Sequence, residues 1–154
     1  MNGWKKNSWV AISWPVDLLT KWEWFRDKAY KDSAWKWTVW FWFTNLNWKP
    51  VKEWDTITLA NAKEKLNNEI DNRQNYKGLL SVKLTPQQEA ALTSFEYNLW
   101  SNIWKWSAKP IIDKINAWDI NWAAEYMKLF NKAWGKVIKW LQNRRKEESN
   151  LLLT

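Results

Sequence analysis

Cysteine and histidine are both absent from this 154-residue chain. Without cysteine there is no disulfide framework and no thiolate nucleophile, and a reducing interior suits such a chain. Without histidine as well, most zinc sites, Ser-His-Asp triads and Cys-His pairs are excluded. Any enzyme built from this sequence works with carboxylates, hydroxyls, amides and cations, and no metal or other cofactor is expected. No apolar run reaches the roughly 18 residues a bilayer-spanning helix needs, so stable membrane insertion is not expected. The first stretch, Met1 to Ser13, carries lysines but no apolar segment of the kind found in an ordinary signal peptide. Glycine is scarce too. Gly3, Gly78 and Gly135 are the three present, against roughly 11 at average usage for this length.

What the chain has instead is tryptophan, 18 residues of it, within an apolar fraction of 46% that is ample for a packed core. The length fits one domain, or two small lobes sharing a core. Lysine and arginine number 24 against 16 acidic residues, a net charge of +8. That balance suits a polyanionic partner such as nucleic acid, a membrane surface or an anionic cell wall, although a basic surface can also serve solubility alone. Basic and tryptophan-rich together also describes membrane-active peptides, so that reading stays open.

Periodicity organises the chain into helices around one β-like stretch. Residues 15–26 read as a helix, with Pro15 at its first position and Val16, Leu19 and Glu23 on one face. From Ala29 to Thr44 the sequence changes to short aromatic, valine and threonine runs of β type, and Asn45 to Asp55 reads as turn material. Thr58 suits an N-cap for a helix carrying Leu59, Ala62, Leu66 and Ile70, ended by Gly78. Thr85-Pro86-Gln87-Gln88 is a capping box opening a helix with Ala91, Leu92, Phe95 and Leu99 on one face. Further helices are expected over about 108–116, 120–133 and 137–149, the last of them basic. This order of elements is an α+β class with segregated parts.

Glycoside cleavage is one chemistry open to such an inventory. It needs an acid to protonate the leaving oxygen and a second carboxylate across the sugar, with space for water between them in an inverting enzyme. Glu23 near the first helix end, Asp32 nine residues later and the Thr38 hydroxyl could converge on one cleft. Spacing alone does not select them, because the 16 acidic residues offer many such pairs. Glu23 as an exposed helix residue and Asp32 as a turn former are equally compatible with spacing.

The residues around them carry more. Trp22-Glu23-Trp24-Phe25-Arg26, Ala29-Tyr30-Lys31-Asp32 and Trp37-Thr38-Val39-Trp40-Phe41-Trp42-Phe43-Thr44 resemble the phage-type lysozyme (endolysin) family, whose pattern there is Glu-Gly, Ala-Tyr-x-Asp and Trp-Thr-x-Gly-Tyr-Gly-His-Thr. Downstream, Trp54-Asp55-Thr56-Ile57-Thr58, the block from Leu84-Thr85 to Asn98-Leu99-Trp100, Asn116-Ala117-Trp118-Asp119, and Trp140-Leu141 with Arg144-Arg145 resemble further family segments in order. The resemblance covers about residues 15–152.

It implies a lysozyme-like α+β fold, with a small β-hairpin lobe and a mainly helical C-terminal lobe. Residues 1–14 become an N-terminal tail and 15–154 a single domain: 15–58 the first helix and β lobe, 59–80 a long linking helix, 81–154 the helical lobe. It implies a muramidase that cuts the β-1,4 bond between N-acetylmuramic acid and N-acetylglucosamine in peptidoglycan. Glu23 would be the general acid, Asp32 would position or activate water, and Thr38 would help hold that water. Asn98 is expected to face the cleft as a sugar-binding or positioning amide, or else to cap a helix. One of Arg144 and Arg145 is expected to pair with Glu23, the alternative being solvated charges on a basic helix. Phe43 replaces a family histidine, which puts local polar contacts in doubt more than chemistry.

The expected partner is the glycan strand of peptidoglycan, not nucleic acid, and the expected state is a monomer. The enzyme would stay in the host cytoplasm until a membrane lesion lets it reach the wall or periplasm. Two rivals remain: a non-catalytic basic wall-binding module, and a tryptophan-rich membrane-active protein.

At eleven places this chain has tryptophan where the family has glycine: Trp24, Trp35, Trp40, Trp42, Trp48, Trp54, Trp100, Trp118, Trp122, Trp134 and Trp140. Several are turn contexts, where glycine adopts positive φ without steric cost. A bulky residue held left-handed costs about 1–2 kcal/mol. Repeated over many sites, that would rival the 5–15 kcal/mol, roughly, by which a domain is stable. The expectation is that the source reads these codons, as UGA, for glycine, the alternative being a natural or deliberate tryptophan-rich variant.

Overall fold

A computed structural model describes residues 14–22, 28–31, 35–38, 43–46 and 49–154. Helix α1, Trp14–Trp22, opens it and buries Val16 and Leu19, as its spacing predicts. Two small antiparallel hairpins follow. Tyr30–Lys31 (β1) pairs with Trp37–Thr38 (β2), and Asn45–Leu46 (β3) with Lys49–Pro50 (β4). The second hairpin lies wholly where turn alone was expected. It is closed by Val51 N–H on the Thr44 carbonyl at 2.9 Å, which fixes the chain beyond the strand pair. Ala29 N–H donates to the Asp55 carbonyl at 3.0 Å and Lys28 bridges Thr56, so the end of this region is stitched to its beginning.

Helix α2, Leu59–Asp71, starts at Thr58, whose hydroxyl accepts from Asn61 N–H at 3.2 Å, and buries Ala62, Leu66 and Ile70. It stops well before Gly78. The Glu96 carboxylate accepts from the backbone N–H groups of Asn75 and Tyr76, drawing them into a separate 3₁₀ turn, Asn75–Leu79. Gly78 sits inside that turn, not at a helix end.

Helix α3, Pro86–Leu99, begins with the expected capping box. Gln88 N–H donates to Thr85 Oγ1 at 3.2 Å, and Thr85 N–H to Gln88 Oε1 at 3.0 Å. A 3₁₀ turn, Ser101–Lys105, leads to α4, Lys109–Asn116, and α5, Ile120–Met127. α5 is shorter than its pattern suggests, because Lys132–Ala133 (β5) and Lys136–Val137 (β6) form a third hairpin. Asn131 closes the gap, its amide donating to the Lys128 carbonyl and its own carbonyl accepting from Ile138 N–H. Helix α6, Lys139–Leu152, ends the fold.

Two apolar clusters hold these elements. The first joins Val16 and Leu19 of α1 to Phe43, Val51, Ile57 and the buried face of α2. The second, larger one lies among α3, α4, α5 and α6 around Phe95, Trp104, Ile111, Ile115 and Met127. Among the described residues no helix is long and apolar enough to cross a membrane.

Candidate active site

Of the expected catalytic trio, Thr38 falls within the described residues. Its backbone pairs with Tyr30 across the first hairpin. Its side chain is fully buried, and Oγ1 donates to the Lys36 carbonyl at 3.2 Å. Burial and this bond hold the hydroxyl in a fixed place on the strand. Glu23 and Asp32 lie outside the described residues. In the chain they directly follow Trp22, the last residue of α1, and Lys31, the last residue of β1.

The structure brings Asn98 and Arg145 together. Arg145 Nη2 donates to Asn98 Oδ1 at 2.9 Å across the contact between α3 and α6. Asn98 therefore uses its carbonyl oxygen on a cation, one residue before α3 ends. Arg144 and Arg145 are not the solvated charges of a basic surface helix: both are fully buried. α6 folds them inward because α3 supplies acceptors there. Arg144 Nη2 donates to the Ser94 carbonyl at 3.1 Å and to Ser94 Oγ at 3.2 Å. Arg144 Nε reaches Glu148 Oε1 at 3.1 Å, and Arg145 Nε stands 3.0 Å from Glu148 Oε2. The Arg145 guanidinium also lies over the Phe95 ring at 4.7 Å, a cation–π contact in a dry setting. Burial pulls its pKa down to about 10, a drop that Arg144 adds to and Glu148 resists.

Two carboxylates matter here that pattern reasoning passes over. Glu148, fully buried, is the counter-charge for both arginines and accepts from Ser94 Oγ at 2.5 Å. Glu96, equally buried, accepts from Asn75 N–H, Asn75 Nδ2, Tyr76 N–H and Trp104 Nε1, the last at 2.7 Å. The one sequence signal for Glu148 is the spacing Arg144, Arg145, Glu148, which sets all three on neighbouring turns of a helix. Glu96 has none, since its donors come from a turn about 20 residues upstream and a tryptophan eight residues on. Lys21 at the end of α1 pairs with Glu147 of α6 at 2.6 Å. That ties the helix leading into Glu23 to the helix bearing the two arginines.

A helical body with small β-hairpins beside its first helix is the lysozyme-like arrangement, an α+β fold. The chain belongs to the phage lysozyme family, whose model matches residues 20–148. It is 29% identical to the endolysin of Bacillus phage B103 over 140 residues, 90% of this chain and 52% of that protein, so it spans about half of that relative's length. Among solved structures it is similar to the endolysin of Escherichia coli O157:H7 phage FAHEc1, with 26% identity, a TM-score of 0.79, and 99% of this chain and 96% of that one covered. It is also similar to a mutant of P22 lysozyme, with 27% identity, a TM-score of 0.80, and 91% and 95% covered.

Proposed function

We propose that this chain is a muramidase that hydrolyses the β-1,4 bond between N-acetylmuramic acid and N-acetylglucosamine in peptidoglycan. One observation carries the reading: the family match runs from residue 20 to residue 148 and so takes in Glu23, Asp32, Thr38, Asn98 and both buried arginines. In this reading Glu23 protonates the leaving glycosidic oxygen. Asp32 orients or activates a water, and Thr38 helps hold it, in keeping with the buried, strand-fixed hydroxyl described above. The burial of Arg144 and Arg145 supports a pairing of one of them with the Glu23 carboxylate, since a desolvated cation acts far more strongly than an exposed one. Asn98, bonded to Arg145, then serves to position that cation.

The protein acts as a monomer on glycan strands. It works from the host cytoplasm, reaching the wall once the membrane is breached, and its positive charge draws it to an acidic wall. Replacing Glu23→Gln tests the assignment. The release of reducing ends from purified peptidoglycan should fall on the order of a hundredfold or more, the scale of a lost general acid. Unaltered release by the variant would overturn the assignment in favour of a wall-binding module.

A further inference from the structure

Among the described residues, four that are not glycine have positive φ, and all four are tryptophan: Trp35 at 59°, Trp100 at 72°, Trp118 at 61° and Trp134 at 54°. Asparagine and aspartate are the residues that usually accept this conformation, and a bulky side chain there is an outlier. Three of the positions also belong to motifs with their own reason for glycine. Trp118 is the residue after the cap of α4. Its N–H donates to the Ile115 carbonyl at 3.0 Å and the next N–H, of Asp119, to the Lys114 carbonyl at 2.8 Å, the paired bonds of a Schellman ending. Trp134 and Gly135, at +54° and +75°, are the two loop residues of the β5–β6 hairpin, and positive φ at both is the mark of a type I′ turn. Trp100 caps α3 with φ 72° and ψ 151°, a region that is essentially glycine's own. Trp35 lies in the connection between β1 and β2.

The four rings gain nothing in return by burial. They are 72% to 99% exposed. Trp104 shows what a tryptophan does when the fold has a use for one: it is 2% exposed and its indole N–H is bonded to Glu96. We propose that glycine is the residue for which this fold is built at positions 35, 100, 118 and 134, and that in the source these four codons are UGA triplets read as glycine. The exposed indoles are then not a membrane-binding or stacking surface. The inference does not depend on the muramidase reading, because its tests do not use lysis.

Two fourfold variants of the chain distinguish a backbone demand from simple removal of surface aromatics. One carries Trp35→Gly, Trp100→Gly, Trp118→Gly and Trp134→Gly; the other carries alanine at the same sites. At ordinary positions glycine is the less stable of the two. Here the glycine variant should melt above the alanine variant and above the parent, by about 5–15 °C relative to the parent for a chain of this size. A glycine variant that melts at or below the alanine variant overturns the proposal. Trp104→Gly should lower the melting temperature, and a rise there would show the effect to be indifferent to φ and overturn it as well. Mass spectrometry of the protein from its source gives an independent reading. Peptides spanning these sites should carry glycine's residue mass, whereas tryptophan's mass, or UGG codons in the gene, would end the idea.

Discussion

Arg144 and Arg145 meet in the interior on a single carboxylate, Glu148, so two buried cations share one counter-charge there. In the proposed reading one of these cations faces the Glu23 carboxylate as an opposite charge, so its loss should be felt at the acid. Replacing it by methionine removes the cation at similar length. The limbs of the pH–activity profile should shift in Arg144→Met or in Arg145→Met, measured on folded protein. Unchanged limbs in both variants would remove the pairing. At this scale little was legible from pattern alone. Thr38 stands out only beside its neighbours in the family motif, and Arg145 reads on a helical wheel as one more solvated cation. Burial of a charge is decided by what another helix presents, here Ser94 and Asn98 of α3, and no local pattern encodes that.

Elements were far more readable, because their signals are local. Thr58 and Thr85 announce helix starts through side-chain bonds to the third following N–H, and both bonds are present. Asp119 does the same for α5, accepting from Trp122 N–H at 3.2 Å while its other oxygen takes Lys114 Nζ at 3.1 Å. The Lys114 bond, and after it the Trp122 N–H, hold the Asp119 carboxyl below its ordinary value of 3.8. A carboxyl whose folded pKa is depressed contributes stability above its unfolded pKa and loses it as pH falls through the folded one. The urea midpoint should therefore drop between about pH 4 and the folded pKa, and Asp119→Asn should flatten that part of the curve. An identical acid dependence in the variant would count against the capping role. Element ends were less legible than starts. α2 stops at Asp71 because the buried Glu96 takes the next turn's amides, and α5 yields to a hairpin closed by Asn131. Both stops are made by contacts from beyond the helix concerned.

For the molecule as a whole, the division into a β-containing lobe and a helical lobe was visible in the change of period near Ala29 and its return at Leu59. The packing that joins the lobes was not, since α1, first in the chain, lies against α3. The net charge of +8 belongs to this scale as well. A field of that size acts over about 30 Å at 0.01 M salt but only about 8 Å at 0.15 M. Wall-lysing efficiency should accordingly fall several-fold between those ionic strengths, chiefly through a higher KM for intact walls. An efficiency indifferent to salt would mean that the charge does not recruit the enzyme to its substrate. The ion pair between Lys21 and Glu147 spans 126 residues of sequence. A ribosome delivers Glu147 long after Lys21, so this clasp on the helix leading to Glu23 cannot close until α1 to α5 have all been made.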